Sequence, residues 1–163
     1  MFKQMRRAER ETEKEEALQI LQRAQYGTLA THGEDGYPYA VPLNHVISGG
    51  KICFHCAHDG VKIENIKRNP RVCFSAAAAA RTLPEAFATA YESAVAFGTA
   101  QEAKGARKIE VLTALIEKFA PAFAEKGVAH IAGAAEKTAV YEIEIEHITG
   151  KKSKNPEERE HKK

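Results

Sequence analysis

The sequence predicts a mainly β protein, a small antiparallel barrel with helices on its periphery. Three observations carry that reading. Short stretches alternate apolar and polar side chains with the two-residue period of a half-buried strand, most clearly Tyr141, Ile143 and Ile145 against Glu142, Glu144 and Glu146. Gly33-Glu34-Asp35-Gly36 and Ser48-Gly49-Gly50 fall between such stretches as tight turns, which favours hairpins and an antiparallel sheet over a doubly wound one. About six strands in a chain of 163 residues leave costly open edges unless the sheet curls into a barrel or pairs with another chain.

In chain order, Thr12-Glu13-Lys14-Glu15 has capping-box spacing, with Thr12 as N-cap. Ala17, Leu18, Ile20, Leu21 and Ala24 then recur at helical spacing, so a helix is expected over about residues 12–25. Tyr26 to His32 reads as the first strand, Tyr37 to Ile47 as the second and Lys51 to Cys56 as the third. Asp59 is the expected N-cap of a short helix through Lys67. Arg68-Asn69-Pro70 stops it, because a residue before proline is pushed out of the helical region. Arg71 to Ser75 begins a fourth strand. The alanine run Ala76–Ala80 favours helix intrinsically but is too short to decide its own conformation. Tyr91 to Ala100 alternates again as the fifth strand. Gly105 to Phe119 is an amphipathic helix with Ile109, Leu112, Leu115, Ile116 and Phe119 on one side, and Tyr141 to Glu146 is the last strand. One domain is expected over residues 1–150, with the barrel over 26–148. The charged, aperiodic residues 151–163 read as a frayed tail.

Composition narrows the function classes. Hydrophobic residues at 44% and charged residues at 28% suit one globular core. A net charge of +2 gives no argument for nucleic acid, and there is no run of ~18 apolar residues to span a membrane. The basic N-terminus leads into charged residues and not an apolar signal core, so a cytoplasmic location is expected. Cys53, Cys56 and Cys73, an odd set without a signal peptide, are expected to be reduced thiols.

Two places could hold chemistry. Pro38 and Pro42 are four apart in the second strand, so both missing N–H groups lie on one edge. That edge is either a protected sheet margin or a gap where the backbone of Val41 to Asn44 meets a planar heterocycle. The second place is the junction from His55 to Lys62, where a strand ends and a helix begins. Backbone N–H groups and a lysine can converge on an anion there, which makes a phosphate-bearing cofactor the first hypothesis. The residues Cys53, His55, Cys56 and His58 suggest no metal site, since strand alternation puts Cys56 on the opposite face from Cys53 and His55.

These segments resemble the FMN-binding split-barrel proteins related to pyridoxamine 5′-phosphate oxidase, in the nitroimidazole-resistance branch. The resemblance runs from Met5-Arg6-Arg7 to His147-Ile148-Thr149-Gly150-Lys151. It rests on Gly27-Thr28-Leu29-Ala30-Thr31, on residues 35–44 (Asp35 to Asn44), on Gly50-Lys51-Ile52-Cys53-Phe54-His55-Cys56-Ala57, on Gly60-x-Lys62, on residues 69–74 and on Tyr91-Glu92-Ser93. It implies a six-stranded antiparallel split barrel working as a homodimer, with FMN at each end of the interface. It further implies that Val41, Pro42, Leu43 and Asn44 lie along the flavin, that His55, Cys56, Ala57 and Lys62 contact its phosphate and ribityl chain, and that Tyr91 and Ser93 reach the flavin of the partner chain. The implied activity is that of an FMN-dependent oxidoreductase acting on small molecules, nitro compounds among them. The same barrel binding F420 or haem, or a non-catalytic flavin-binding protein, are the alternatives. No catalytic side chain is singled out: His55 and His45 are both candidate proton donors, and flavin chemistry needs neither.

Overall fold

The computed structural model describes residues 2–153, so residues 154–163 of the expected tail lie outside it. Eight strands form one antiparallel sheet: β1 (Glu11–Thr12), β2 (Gly27–His32), β3 (Pro38–Leu43), β4 (Val46–Ser48), β5 (Lys51–Cys56), β6 (Arg71–Leu83), β7 (Ala88–Glu102) and β8 (Ala139–Ser153). Four helices accompany them: α1 (Lys14–Arg23), α2 (Val61–Arg68), α3 (Gly105–Phe119) and α4 (Ala124–Ala134). The strand order is β3-β2-β6-β7-β8-β5-β4, with the short β1 added beside β8. The two ends of that order, β3 and β4, are separated in the chain only by Asn44 and His45. The sheet therefore curls until its edges nearly meet, which is the split barrel.

Seven strands lie along this path where six were expected, because the second strand breaks at Asn44-His45 into β3 and β4. Leu21 O lies 2.7 Å from His45 Nε2, Asn44 Nδ2 donates to Gln25 O at 2.8 Å, and Lys118 Nζ donates to both Ala24 O and His45 O. The break is thus held by the end of α1 and by α3. Within the β2–β3 hairpin, the bond from Gly33 N–H to Tyr37 O sets the alternation, so the nitrogens of Pro38 and Pro42 point away from β2. They mark the sheet edge at the split.

The core fills the barrel. Leu29, Ile52, Phe54, Phe74 and Ile143 point inward and are fully buried, and α1 closes one end with Ala17, Ile20 and Leu21. Each such aliphatic or aromatic side chain contributes about 1.5–3 kcal/mol on burial. A second cluster sits outside the barrel, where Val111 and Leu115 of α3 cover Cys53 and Val140. Gly150 admits α1 to its place, since a Cβ there would collide with Thr12 Oγ1 and Ala17.

Three local expectations are corrected, and one stretch left open is decided. Thr12 belongs to β1 and pairs with Gly150; its hydroxyl donates to Glu13 O, and Glu13 takes the N-cap position of α1. Gly60, at φ +105°, and not Asp59, is the N-cap of α2. The alanine run is strand: β6 continues through it against β7, with a bulge between Ala77 and Ala79. Lys151, Lys152 and Ser153, assigned to the tail, complete β8 opposite Ser93, Glu92 and Tyr91.

One clasp fastens α3 to the sheet. The Glu142 carboxylate accepts from Lys51 Nζ at 2.8 Å, Gln101 Nε2 at 2.9 Å and Arg107 Nε at 2.9 Å. Arg107 also donates to Ser48 O at 2.8 Å and to Glu110 at 2.6 Å. Burial alone would raise the Glu142 carboxyl, but these charged donors outweigh it and hold it at about 2. No helix among the described residues is long and apolar enough to cross a membrane.

Candidate functional site

An apolar cleft of about 290 Å³ opens between the break in the barrel, the end of β5 and the helices α3 and α4. Leu112, Leu115, Ile116 and Phe119 form one wall, and Ile131 of α4 faces them. Four polar residues line the rest: Asn44 at the break, His55 on β5, His130 on α4 and Thr138 before β8. His55 reaches the cleft because β5 turns it to the outer face of the sheet, while its neighbour Phe54 fills the core. Protein atoms around it lower its imidazole below the ordinary value, so it is neutral near pH 7.

The strand-to-helix junction continues from this cleft. After His55 come Cys56 and Ala57, then His58, whose Nε2 lies 2.9 Å from Glu136 O and ties the junction to the segment after α4. Gly60 takes a positive φ that favours glycine, and its carbonyl accepts from Ile63 and Glu64 to start α2. With Ile63 and Glu64 taken by Gly60, the amides of Val61 and Lys62 are left at the N-terminus of α2, beside the half-buried Lys62 side chain. Lys62 is close enough to Cys56 to oppose the rise that burial imposes on that thiol.

The structure gathers Asn44 and His55 on the cleft, with Cys56, Ala57 and Lys62 following at the junction. Val41 and Leu43 turn inward against the barrel core, so only their backbone and Pro42 face the split. Tyr91 and Ser93 lie on β7, across the sheet from this cluster within one chain. His45 is fully buried against Phe74, and burial with the nearby Lys118 charge lowers it to about 4; it cannot meet a ligand in the cleft. Burial raises all three thiols, Cys53 to about 11, which leaves none as an activated nucleophile. Among the described residues no three His, Cys, Asp or Glu side chains converge as a metal-binding group. His130 and Thr138 escaped sequence reasoning, for α4 is alanine-rich and its histidine sits in no recognisable pattern.

Residues 13–152 match the family model of pyridoxamine 5′-phosphate oxidase. The chain belongs to the pyridoxamine 5′-phosphate oxidase family. Solved structures share its fold. A flavocytochrome from Azotobacter vinelandii is 18% identical with a TM-score of 0.79, over 94% of this chain and 73% of that one. A candidate 5-nitroimidazole antibiotic resistance protein from Bacteroides thetaiotaomicron is 20% identical with a TM-score of 0.68, over 85% and 83%. An FAD-binding protein from Mesorhizobium loti is 22% identical with a TM-score of 0.61, over 89% and 98%. At these identities the likeness establishes the split barrel, the fold of this oxidase family. No curated protein matches the chain.

Proposed function

We propose that this protein binds flavin mononucleotide and uses it to reduce small molecules. The observation that carries the reading is an apolar cleft bearing Asn44 and His55, whose strand β5 runs on along the chain into the glycine-led entry to α2, where Lys62 stands. A planar ring needs the first and its phosphate needs the second. Bound flavin would supply the hydride and electron chemistry. The chain's own residues do the rest. Leu115, Ile116 and Phe119 keep water from the ring, and the backbone of Val41 to Asn44 borders it along the edge where Pro38 and Pro42 carry no N–H. Lys62 and the first-turn amides of α2 hold the phosphate by charge-assisted hydrogen bonds. His55, neutral and on the cleft wall, is the side chain placed to hold a proton beside a reacting molecule. Tyr91 and Ser93 serve the cofactor of the second chain in a homodimer. The three free cysteines suit a reducing cytoplasm.

Haem is the second reading, because His55 and His130 line the same apolar cleft, and a flavocytochrome shares the fold. The visible spectrum of the purified protein tests both. A flavin spectrum, with FMN released on denaturation, supports the first reading; a Soret band supports the second. Apoprotein that takes up neither FMN nor haem at micromolar concentration sinks both. Anaerobic reduction with NADH and NADPH, followed by a nitro compound as acceptor, then tests the activity.

A further inference from the structure

His45 sits fully buried at the break in the barrel, and one of its ring nitrogens has no partner. Its Nε2 lies 2.7 Å from Leu21 O at the end of α1. A carbonyl oxygen only accepts, so Nε2 carries the proton and Nδ1 is the bare nitrogen. The neutral ring leaves one lone pair unmet there. A protonated ring would place a charged N–H at the same point, away from solvent and with no acceptor, which costs far more. Lys118 adds to that cost. Its Nζ reaches in from α3, half-buried, and donates to His45 O at 2.9 Å and to Ala24 O at 2.8 Å. No carboxylate is among the groups that act on the ring. From α1 it meets the Leu21 carbonyl and from β6 the Phe74 ring, 4.8 Å away between centres, while β3 and β4 hold no charged residue. Glu117, beside Lys118 on α3, is exposed, and Arg23 of α1 is engaged by Glu92. The same contacts shape the cleft. Asn44, next to His45, and Phe119 and Ala120, next to Lys118, all line it. Asn44 is held by Gln25 O, and Lys118 Nζ stands 5.1 Å from the centre of the Phe119 ring. The end of α1, the break and the end of α3 thus meet at one buried imidazole.

We propose that His45 and Lys118 form a proton-operated latch, which holds these three ends together at neutral pH and loosens the cleft on acidification. To take a proton the ring must leave its place for water. It then draws Asn44 from the cleft wall and frees Lys118 from the His45 carbonyl. Burial and the Lys118 charge put the folded value at about 4, below the ordinary 6.5. The closed latch is therefore fully stable above about pH 6.5 and weakens as the pH falls towards 4. Opening should become roughly 50-fold more frequent between pH 7 and pH 4.5. The Glu142 clasp is lost in a lower window, as its carboxylate protonates on the way from 4.5 to about 2. The latch stands whether or not the cleft binds flavin.

Hydrogen exchange of the purified protein tests it, with protection corrected at each pH for the intrinsic exchange rate. Residues 20–26, 42–46 and 117–123 are expected to lose protection roughly 50-fold between pH 7 and pH 4.5, while residues 94–100 of β7 keep theirs. His45→Gln retains an Nε2–H but no titrating ring, and should abolish that loss. Lys118→Met should shrink it, because the closed ring then accepts a proton at higher pH. The change with pH is compared within each protein, so a variant that is uniformly less stable still reports. His55→Gln and His130→Gln, on the cleft wall, should keep the wild-type loss. The NMR titration of the wild-type ring depends on no variant: His45 should be the Nε2–H tautomer and ionise at about pH 4. Four results would each overturn the proposal. They are protection at the break that stays constant over this pH range, a loss shared equally by residues 94–100, an undiminished loss in His45→Gln, and a His45 ring that titrates at the ordinary 6.5.

Discussion

Lys62 separates the phosphate reading of the junction from a merely structural one. It is half-buried in the first turn of α2, behind a glycine that lets the backbone approach a ligand. A charge-assisted bond to phosphate contributes about 1.5–3 kcal/mol. Lys62→Ala should therefore bind FMN roughly 10- to 100-fold more weakly, with the melting temperature of the apoprotein unchanged; unchanged affinity would make Lys62 an ordinary helix residue. Riboflavin, which lacks the phosphate, should bind at least ~100-fold more weakly than FMN, and the gap should shrink in Lys62→Ala. Fluorescence titration of apoprotein with both flavins measures it, and equal affinities would remove the phosphate from this segment. Glu142 gives a pH prediction. Its folded value of about 2 lies below the ordinary 4.5, so its contribution is fully present above about pH 4.5 and is lost as the pH falls towards 2. That contribution is on the order of 2–3 kcal/mol. Denaturation at pH 7, 4 and 3 should show the decline, and Glu142→Gln should flatten it; an identical pH profile in the variant would mean that the Lys51–Glu142–Arg107 clasp does not govern acid stability.

Among the elements, those whose signal is local were legible in the sequence. The helix Gly105–Phe119 has the bounds its apolar stripe indicates, and the two glycine turns lie where the hairpins turn. The positions that were missed depend on partners distant in the chain. Thr12 reads as a cap until β8 supplies Gly150 as its strand partner. The alanine run has helical propensity, yet a ladder with Ala94, Ser93, Glu92 and Tyr91 fixes it as strand. The break at Asn44-His45 depends on Leu21, Gln25 and Lys118. Likewise the residues of the junction could be named from the sequence, but the cleft could not, because half its wall comes from α3 and α4. Two glycines give a paired stability test. A side chain at Gly150 collides with Thr12 and Ala17, whereas Gly133, in α4, has open space around its Cβ position. Gly150→Val should cost about 1–3 kcal/mol or more by overpacking. Gly133→Ala should stabilise by about 0.5–1 kcal/mol through helix propensity and a restricted unfolded chain. Urea denaturation of both variants checks the contrast; a harmless Gly150→Val would mean that α1 does not seat against β8 as closely as described.

At the scale of the whole molecule, the two faces of the sheet are covered unequally. Helix α3 shields the outside of β4, β5 and part of β8, and α4 packs against α3. The outside of β3, β2, β6 and β7 carries Pro42, Ala40, Ser75, Ala77 and Phe97, small or apolar side chains that remain exposed in a single chain. Beyond Ser75, where β2 stops pairing, β6 and β7 run on, with β8 beside β7 as far as Tyr91, to a tip that presents Phe87 at 99% exposure. Tyr37, at the β2–β3 hairpin, is 76% exposed. A contiguous face of this kind calls for a partner. A second copy is the simplest, since twofold symmetry lets the same face cover itself. It would also carry Tyr91 and Ser93 to the cleft of the other chain, which one chain alone cannot do. The expected particle is thus a homodimer burying ~2,000 Å² or more. Light scattering at micromolar concentration should give twice the 17.9 kDa mass of the chain. Phe97→Glu, on the β7 side of that face, should shift the particle towards monomer and weaken FMN binding together with dimerisation, without contacting the flavin in its own chain. A wild-type particle of monomer mass that still binds FMN would confine the whole site to one chain and release Tyr91 and Ser93 from any role in it.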